Sequence, residues 1–198
     1  MRKGTVPGSS DGSRKGFAVF FTGLPGSGKT TLAEALTSKL SGSFGLAVTL
    51  LDGDEVRRLL SSELGFSKEH RDLNILRIGF VASEVVKHGG VAVCAAIAPY
   101  DAVRRTVRRM VGRHGGFVLV HVSTPLSVCE ARDPKGLYAK ARAGLLSAFT
   151  GISDPYEEPA GAEVVIDTTH VGPVEGTLSI LDGLSGLGLL DARSEASV

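Results

Sequence analysis

Five short runs along the chain set apolar residues on consecutive positions: 17–21, 47–51, 91–97, 117–122 and 164–166. Consecutive rather than alternating apolar residues predict strands buried on both faces of a parallel sheet. Between these runs, helical patterns occupy 29–40, 68–88, 101–114, 125–143 and 174–184. Strand–helix alternation of this kind predicts an α/β fold with a parallel central sheet. Ligands of open parallel sheets bind beyond the carboxyl ends of the strands, so the residues that follow each run are the ones to read for chemistry.

The ends of the chain break the pattern. Residues 1–15 are rich in Gly, Ser, Lys and Arg and read as a flexible arm. Residues 16–184 read as one domain. Residues 185–198 carry small and charged side chains without a clear period, and poor order is expected beyond Leu190. Hydrophobic residues make up 42% of the 198, enough for a full core, yet no run approaches the ~20 apolar residues of a membrane span. The first residues hold no apolar stretch, so neither a secretory leader nor a membrane partner is expected. A formal net charge of +1 gives no bulk electrostatic ground for binding nucleic acid. Any anionic ligand must be caught by locally placed groups. Cys94 and Cys129 lie in apolar or helical contexts and read as reduced core residues, which fits a cytoplasmic protein.

The first strand runs directly into Gly23-Leu24-Pro25-Gly26-Ser27-Gly28-Lys29-Thr30-Thr31, which matches G-x-x-x-x-G-K-[ST] at every fixed position. Glycines at 23, 26 and 28 let the backbone approach phosphate closely, and the N–H groups at the start of the next helix point at the anion. Lys29 adds charge at the β- and γ-phosphates of ATP, and Thr30 offers a hydroxyl to Mg²⁺. The strand before the loop and the helical pattern after it (Leu32, Ala33, Leu36, Leu40) supply the context this motif requires.

The second run ends in Asp52-Gly53-Asp54. A carboxylate there can hold Mg²⁺ or take a proton from an attacking hydroxyl. The plainer reading is a helix cap, and Asp54 could do the capping and nothing else. Further on, Arg71, Asn74 and Arg77 recur at three-residue spacing, suiting either a solvated helix face or a grip on an anion and a base edge. The basic segment 132–142 reads either as a surface helix or as a lid whose cations close over ATP. The Pro/Gly-punctuated loop around Phe149 offers an aromatic face that could stack on a base or cover the core.

In combination these pieces resemble the adenylylsulfate kinase family. The resemblance is carried by GLPGSGKTT at 23–31, DGDEVR at 52–57, LGFSKEHRDLNILR at 64–77, IAPY at 97–100, TPLSVCEARDPKGLYAKARAG at 124–144 and FTGISDPYE at 149–157. It implies a three-layer P-loop NTPase sandwich with a small lid. The implied reaction is ATP- and Mg²⁺-dependent phosphorylation of the 3′-hydroxyl of adenosine 5′-phosphosulfate. Asp54, with Asp52 beside it, is implied to place the metal and activate the hydroxyl, and Thr30 to join Asp54 at the metal. Arg57, Arg71 and Asn74 would hold the phosphosulfate, and Phe66 and Phe149 would sandwich the adenine. Ile97, Pro99 and Leu137 would line that pocket. Arg132 and Lys135 would cover ATP together with Gly23, Gly26, Ser27, Gly28, Lys29, Thr30 and Thr31. Members of this family are commonly dimers, so a homodimer is expected. Two positions depart from the family pattern. Ala98 stands where many members carry serine, which excludes a phosphoserine there and leaves direct transfer. Ser147 stands where members often carry a basic residue, which predicts weaker acceptor binding. The alternatives are a P-loop kinase for another small metabolite, or a non-catalytic nucleotide-binding module.

Overall fold

The computed structural model describes residues 15–190. Five strands form one sheet: β1 (Phe17–Gly23), β2 (Val48–Asp52), β3 (Val91–Ala95), β4 (Gly116–Val122) and β5 (Val164–Ile166). Their spatial order is β2-β3-β1-β4-β5, and every pairing is parallel. The helices are α1 (Lys29–Gly42), α2 (Gly53–Leu59), α3 (Lys68–Lys87), α4 (Asp101–Gly112), α5 (Leu126–Arg132), α6 (Leu137–Arg142) and α7 (Pro173–Gly186).

Three layers follow from the side-chain alternation of the strands. Phe17, Val19 and Phe21 of β1 face Leu32, Leu36 and Leu40 of α1 and Ile180 and Leu184 of α7. Ala18 and Phe20 face the other way, onto Ile75, Ile78 and Val86 of α3 and Val103, Val107 and Val111 of α4. Every residue of β1 is buried, which is why its sequence reads as unbroken apolar.

The two edge strands differ from the expectation of burial on both faces. In β2 only Leu51 is buried, and Val165 at the centre of β5 is exposed. An edge strand has one neighbour and a partly open face, so its outward residues need not be packed. The pattern over 125–143 also resolves into two helices. Asp133 and Gly136 take left-handed φ values of 25° and 63°, and the Asp133 carboxylate accepts hydrogen bonds from Tyr138 N and Ala139 N. It thereby starts α6 in a new direction. After β3 the chain leaves the sheet at 96–100, where Ala98 has φ 44°. Helix α7 continues to Gly186 and Leu190 is buried in the α1/α7 core, so the packed chain extends past the boundary at 184 read from the sequence. The expectations for residues 1–14 and 191–198 lie outside the described residues.

Candidate active site

The phosphate loop connects β1 to α1. Gly28 sits at the N-cap of α1 with φ 96° and no side-chain cap, so the first N–H groups of a 14-residue helix are left to a ligand. A Cβ on Gly23 would lie 2.5 Å from the Val122 carbonyl oxygen, so that position admits only glycine without rearrangement. Lys29 is buried and donates to the carbonyls of Gly23 (2.9 Å) and Leu24 (2.6 Å) and to Ser27 Oγ (3.3 Å). Desolvation lowers its pKa to about 8, partly offset by nearby acidic groups that include Asp54 and Asp52. Thr31 follows on the exposed first turn of α1.

From behind, the loop is braced by residues that sequence reading did not single out. Thr168 Oγ1 donates to Ser27 O (2.9 Å) and lies 2.8 Å from Thr124 Oγ1. Tyr138 of α6 donates to Pro25 O (2.9 Å). Arg132, expected over ATP, donates to Thr168 Oγ1 (2.7 Å) and Thr168 O (2.6 Å), which sets it beside the phosphate loop. Thr124 and Tyr138 lie within a segment that carries the family resemblance, and only that placement could have flagged them.

The acidic cluster divides its work. Asp52, not Asp54, caps α2: its Oδ1 accepts from Asp54 N (2.9 Å) and Glu55 N (3.4 Å). Its Oδ2 accepts the Thr30 hydroxyl at 2.9 Å. The Asp54 side chain is therefore spared capping and is 76% exposed, paired with Lys135 from the turn between α5 and α6. That hydrogen bond raises the Lys135 pKa. No group of three or more His, Cys, Asp or Glu side chains that could hold a metal occurs among the described residues. Thr30, Asp52 and Asp54 are hard oxygen donors, a set that suits Mg²⁺ when phosphate oxygens and water complete the shell.

On the other side of the phosphate loop lies a second set of residues. Arg71 is 8% exposed. Its Nε donates to Phe66 O (2.8 Å), and its two NH groups donate to Thr150 Oγ1 and Ala148 O. Asp154 pairs with it at 3.2 Å. One guanidinium thus joins the segment carrying Phe66 to the loop carrying Phe149. Asn74, one turn further along α3, is buried, and its Oδ1 has no hydrogen-bond partner. A buried unpaired acceptor is costly unless a ligand completes it. Arg57 donates to Leu64 O (3.2 Å) and Gly65 O (2.9 Å) and stacks over the Phe66 ring at 4.8 Å. Phe66 is 62% exposed, while Phe149 meets Tyr138 edge-on at 5.0 Å. A cavity of about 430 Å³ lies against the following loop, lined by Leu24 of the phosphate loop and residues 151–156 and 158; it meets this set at Asp154, the ion-pair partner of Arg71.

Arg77 does not join this group. It turns to Leu60 O (2.5 Å) and Glu63 (2.7 Å) at the C-terminal end of α2, so the three-residue stripe of α3 separates into two buried polar residues and one surface ion pair. Ile97 is half-buried and its carbonyl accepts from Thr22 Oγ1, while Pro99 is buried and its carbonyl accepts from Glu157 N. Leu137 is half-buried at the first position of α6. Ser147 is exposed, two residues before Phe149.

Comparison with known proteins converges on one family. The sequence model for adenylylsulphate kinase matches residues 15–167. An adenylyl-sulfate kinase of Synechococcus sp. (strain JA-3-3Ab) is 49% identical over 177 residues, covering 89% of this chain and 98% of that protein. A sulfate adenylyltransferase of Aspergillus oryzae is 53% identical over 155 residues, covering 78% of this chain but only 27% of that longer protein. In structure, the APS kinase of Mycobacterium tuberculosis in complex with AMPPNP and APS is similar with a TM-score of 0.83 and 38% identity, over 86% of this chain and 98% of that one. The chain belongs to the adenylylsulphate kinase family.

Proposed function

We propose that the chain transfers the γ-phosphoryl group of ATP to the 3′-hydroxyl of adenosine 5′-phosphosulfate, giving 3′-phosphoadenosine 5′-phosphosulfate and ADP. The observation that carries this reading is the cluster in which Arg71 joins the Phe66 segment to the Phe149 loop, with Asn74 one turn along α3. It offers a cation, an unpaired amide oxygen and two aromatic side chains, which suits an adenine with an anionic tail better than a sugar.

The phosphate loop binds ATP through the N–H groups at the start of α1, with Lys29 moving from its carbonyl partners to the β- and γ-phosphates. Thr30, Asp52 and Asp54 are the residues that would hold Mg²⁺. When bound, the ion neutralises charge on the β- and γ-oxygens. Asp54 orients the acceptor hydroxyl and takes its proton. A bond forms between the 3′-oxygen and the γ-phosphorus while the bond to the β-phosphate oxygen breaks, and ADP leaves. Lys135 exchanges its present partner, Asp54, for phosphate oxygens as the transfer proceeds. Positioning and electrostatics account for most of the acceleration in such a scheme.

A cytoplasmic location and a homodimer belong to the same proposal. No helix among the described residues is long and apolar enough to cross a membrane. The exposed Leu59, Leu60 and Phe80 of α2 and α3 and the turn between them offer a surface for self-association. The division into an arm (1–15), a kinase domain (16–184) and a tail (185–198) is proposed likewise, with residues 185–190 continuing the packed chain.

The test is transfer from γ-labelled ATP with Mg²⁺ to adenosine 5′-phosphosulfate, with AMP and gluconate as control acceptors. Label on the phosphosulfate alone is the expected result. ATP binding without a labelled acceptor would overturn it and favour a non-catalytic module.

A further inference from the structure

The loop that carries Phe149 is tied down at two ends by two different arginines. Arg71 of α3 holds its beginning, at Ala148, Thr150 and Asp154. Arg104 of α4 holds its far end. It is 2% exposed, and its NH groups donate to Glu157 O (2.6 Å) and to Ala98 O (2.7 Å). A single buried cation therefore bridges the backbone after β3 to the backbone that closes the Phe149 loop. The same two segments meet twice more directly and once through Thr22 of β1. Glu157 N donates to Pro99 O at 2.8 Å, and Glu157 Oε2 accepts from Asp101 N at 2.7 Å, capping α4 where Tyr100 supplies no side-chain cap. The Tyr156 hydroxyl lies 3.0 Å from Thr22 Oγ1, which itself donates to Ile97 O at 2.6 Å.

Between these contacts lies Ala98, held at φ 44°. A residue with a Cβ is strained there and persists only where its surroundings enforce it. Its carbonyl is the one that Arg104 and Thr22 both approach. Burial pushes the Tyr156 phenol up to about 12, so it stays a neutral hydroxyl within this network.

We infer that Arg104 is a positioning residue for the acceptor site: by clamping Ala98 and Glu157 it fixes the spacing between the Ile97–Pro99 wall and the Phe149 loop. The inference rests on the proposed kinase reading, but its geometry stands apart from it. Arg104 is 2% exposed and directs its NH groups at the two segments, so it acts through them. Its removal leaves the Glu157 carbonyl without this donor and the Ala98 carbonyl with only the longer bond from Thr22 Oγ1 at 3.3 Å, loosening the two segments where they meet.

The test compares Arg104→Met, Arg104→Lys and Thr22→Val with the unaltered chain, by steady-state kinetics and by amide exchange at Glu157. For Arg104→Met, KM for adenosine 5′-phosphosulfate is expected to rise about tenfold, with KM for ATP changed less than about twofold, and exchange at Glu157 to accelerate. Arg104→Lys, whose single ammonium replaces a two-pronged donor, should fall between. Thr22→Val is close to isosteric and keeps the measurement possible if the Met variant does not fold; it should raise the same KM by a smaller factor. An unchanged acceptor KM in whichever of Arg104→Met or Thr22→Val folds, or equal rises for ATP and acceptor, overturns the inference. Should the unaltered chain phosphorylate no acceptor, the functional reading has failed. Exchange at Glu157 then decides the positioning by itself: acceleration in the variants supports it, and an unchanged rate overturns it.

Discussion

The two halves of the site are built by opposite means. The proposed phosphate side is one contiguous stretch of nine residues that presents the first N–H groups of α1 and whose lysine rests on its own loop's carbonyls. The acceptor side has no such stretch. It is assembled from α3, the segment after β3 and the loop at 148–158, joined by arginines that reach across more than fifty positions of sequence. A local device can be recognised in any chain, because its geometry is encoded by neighbours. A distributed one is held by side-chain-to-backbone bonds whose partners cannot be inferred from spacing. Substitutions in the two halves should therefore fail differently.

The largest effect is expected where the halves meet. Asp54 is not needed as a helix cap, since Asp52 fills that position. Asp54→Asn should therefore lower turnover by about 10²–10⁴-fold, the range of a lost general base, with ATP affinity close to unaltered. Turnover measured alongside ATP binding checks this, and an unaltered kcat would remove Asp54 from the mechanism. Next in size is Arg71→Lys. An ammonium cannot serve Phe66 O, Ala148 O, Thr150 and Asp154 together. A deficit of about 2 kcal/mol, on the order of a thirtyfold rise in acceptor KM, is expected, with KM for ATP spared. If both KM values rise together, the acceptor side is not the separate unit described here.

These two substitutions also mark how far the sequence alone could be read. The five strands, the parallel order of layers and the phosphate loop were legible because each rests on local pattern: apolar runs, helical spacing and glycines at fixed offsets. The role of Asp52 was not separable from that of Asp54, because either carboxylate can cap a helix that begins between them. The break at 133–136 was legible in Pro134 and Gly136, yet the helical reading of 125–143 passes over them; what the sequence did not mark is the left-handed Asp133 beside them. The separation of Arg77 from Arg71 was hidden because helical spacing assigns a sector, not a partner. Arg104 shares the i, i+3, i+7 face of Val107 and Val111 on α4, which separates it from Arg105 and Arg109, but the partners it holds on that face come only from the fold.

A smaller effect is expected at Asp52. Asp52→Ala removes the cap of α2, which costs about 1 kcal/mol of stability, and it also frees the Thr30 hydroxyl from its present partner. If Asp52 supports the metal through Thr30, the variant should need a higher Mg²⁺ concentration for half-maximal transfer. A lowered melting midpoint with an unaltered Mg²⁺ requirement would reduce Asp52 to a cap.

The smallest effect, and the most specific, concerns Ser147. It is exposed and lies two residues before Phe149, on the loop whose backbone Arg71 grips at Ala148. A lysine there adds a positive charge near the acceptor pocket without disturbing a buried contact. Exposed charges are screened, so the gain is limited to about 0.5–1 kcal/mol, or a two- to fivefold lower KM for the phosphosulfate. The gain should shrink as ionic strength rises, and it should be absent for ATP if its phosphates are held by the proposed phosphate loop. An unchanged acceptor KM at low salt would mean that position 147 does not face the acceptor's charge. The weaker binding inferred from serine at this position would then be wrong, while the assignment of Arg71 would stand on its own measurement.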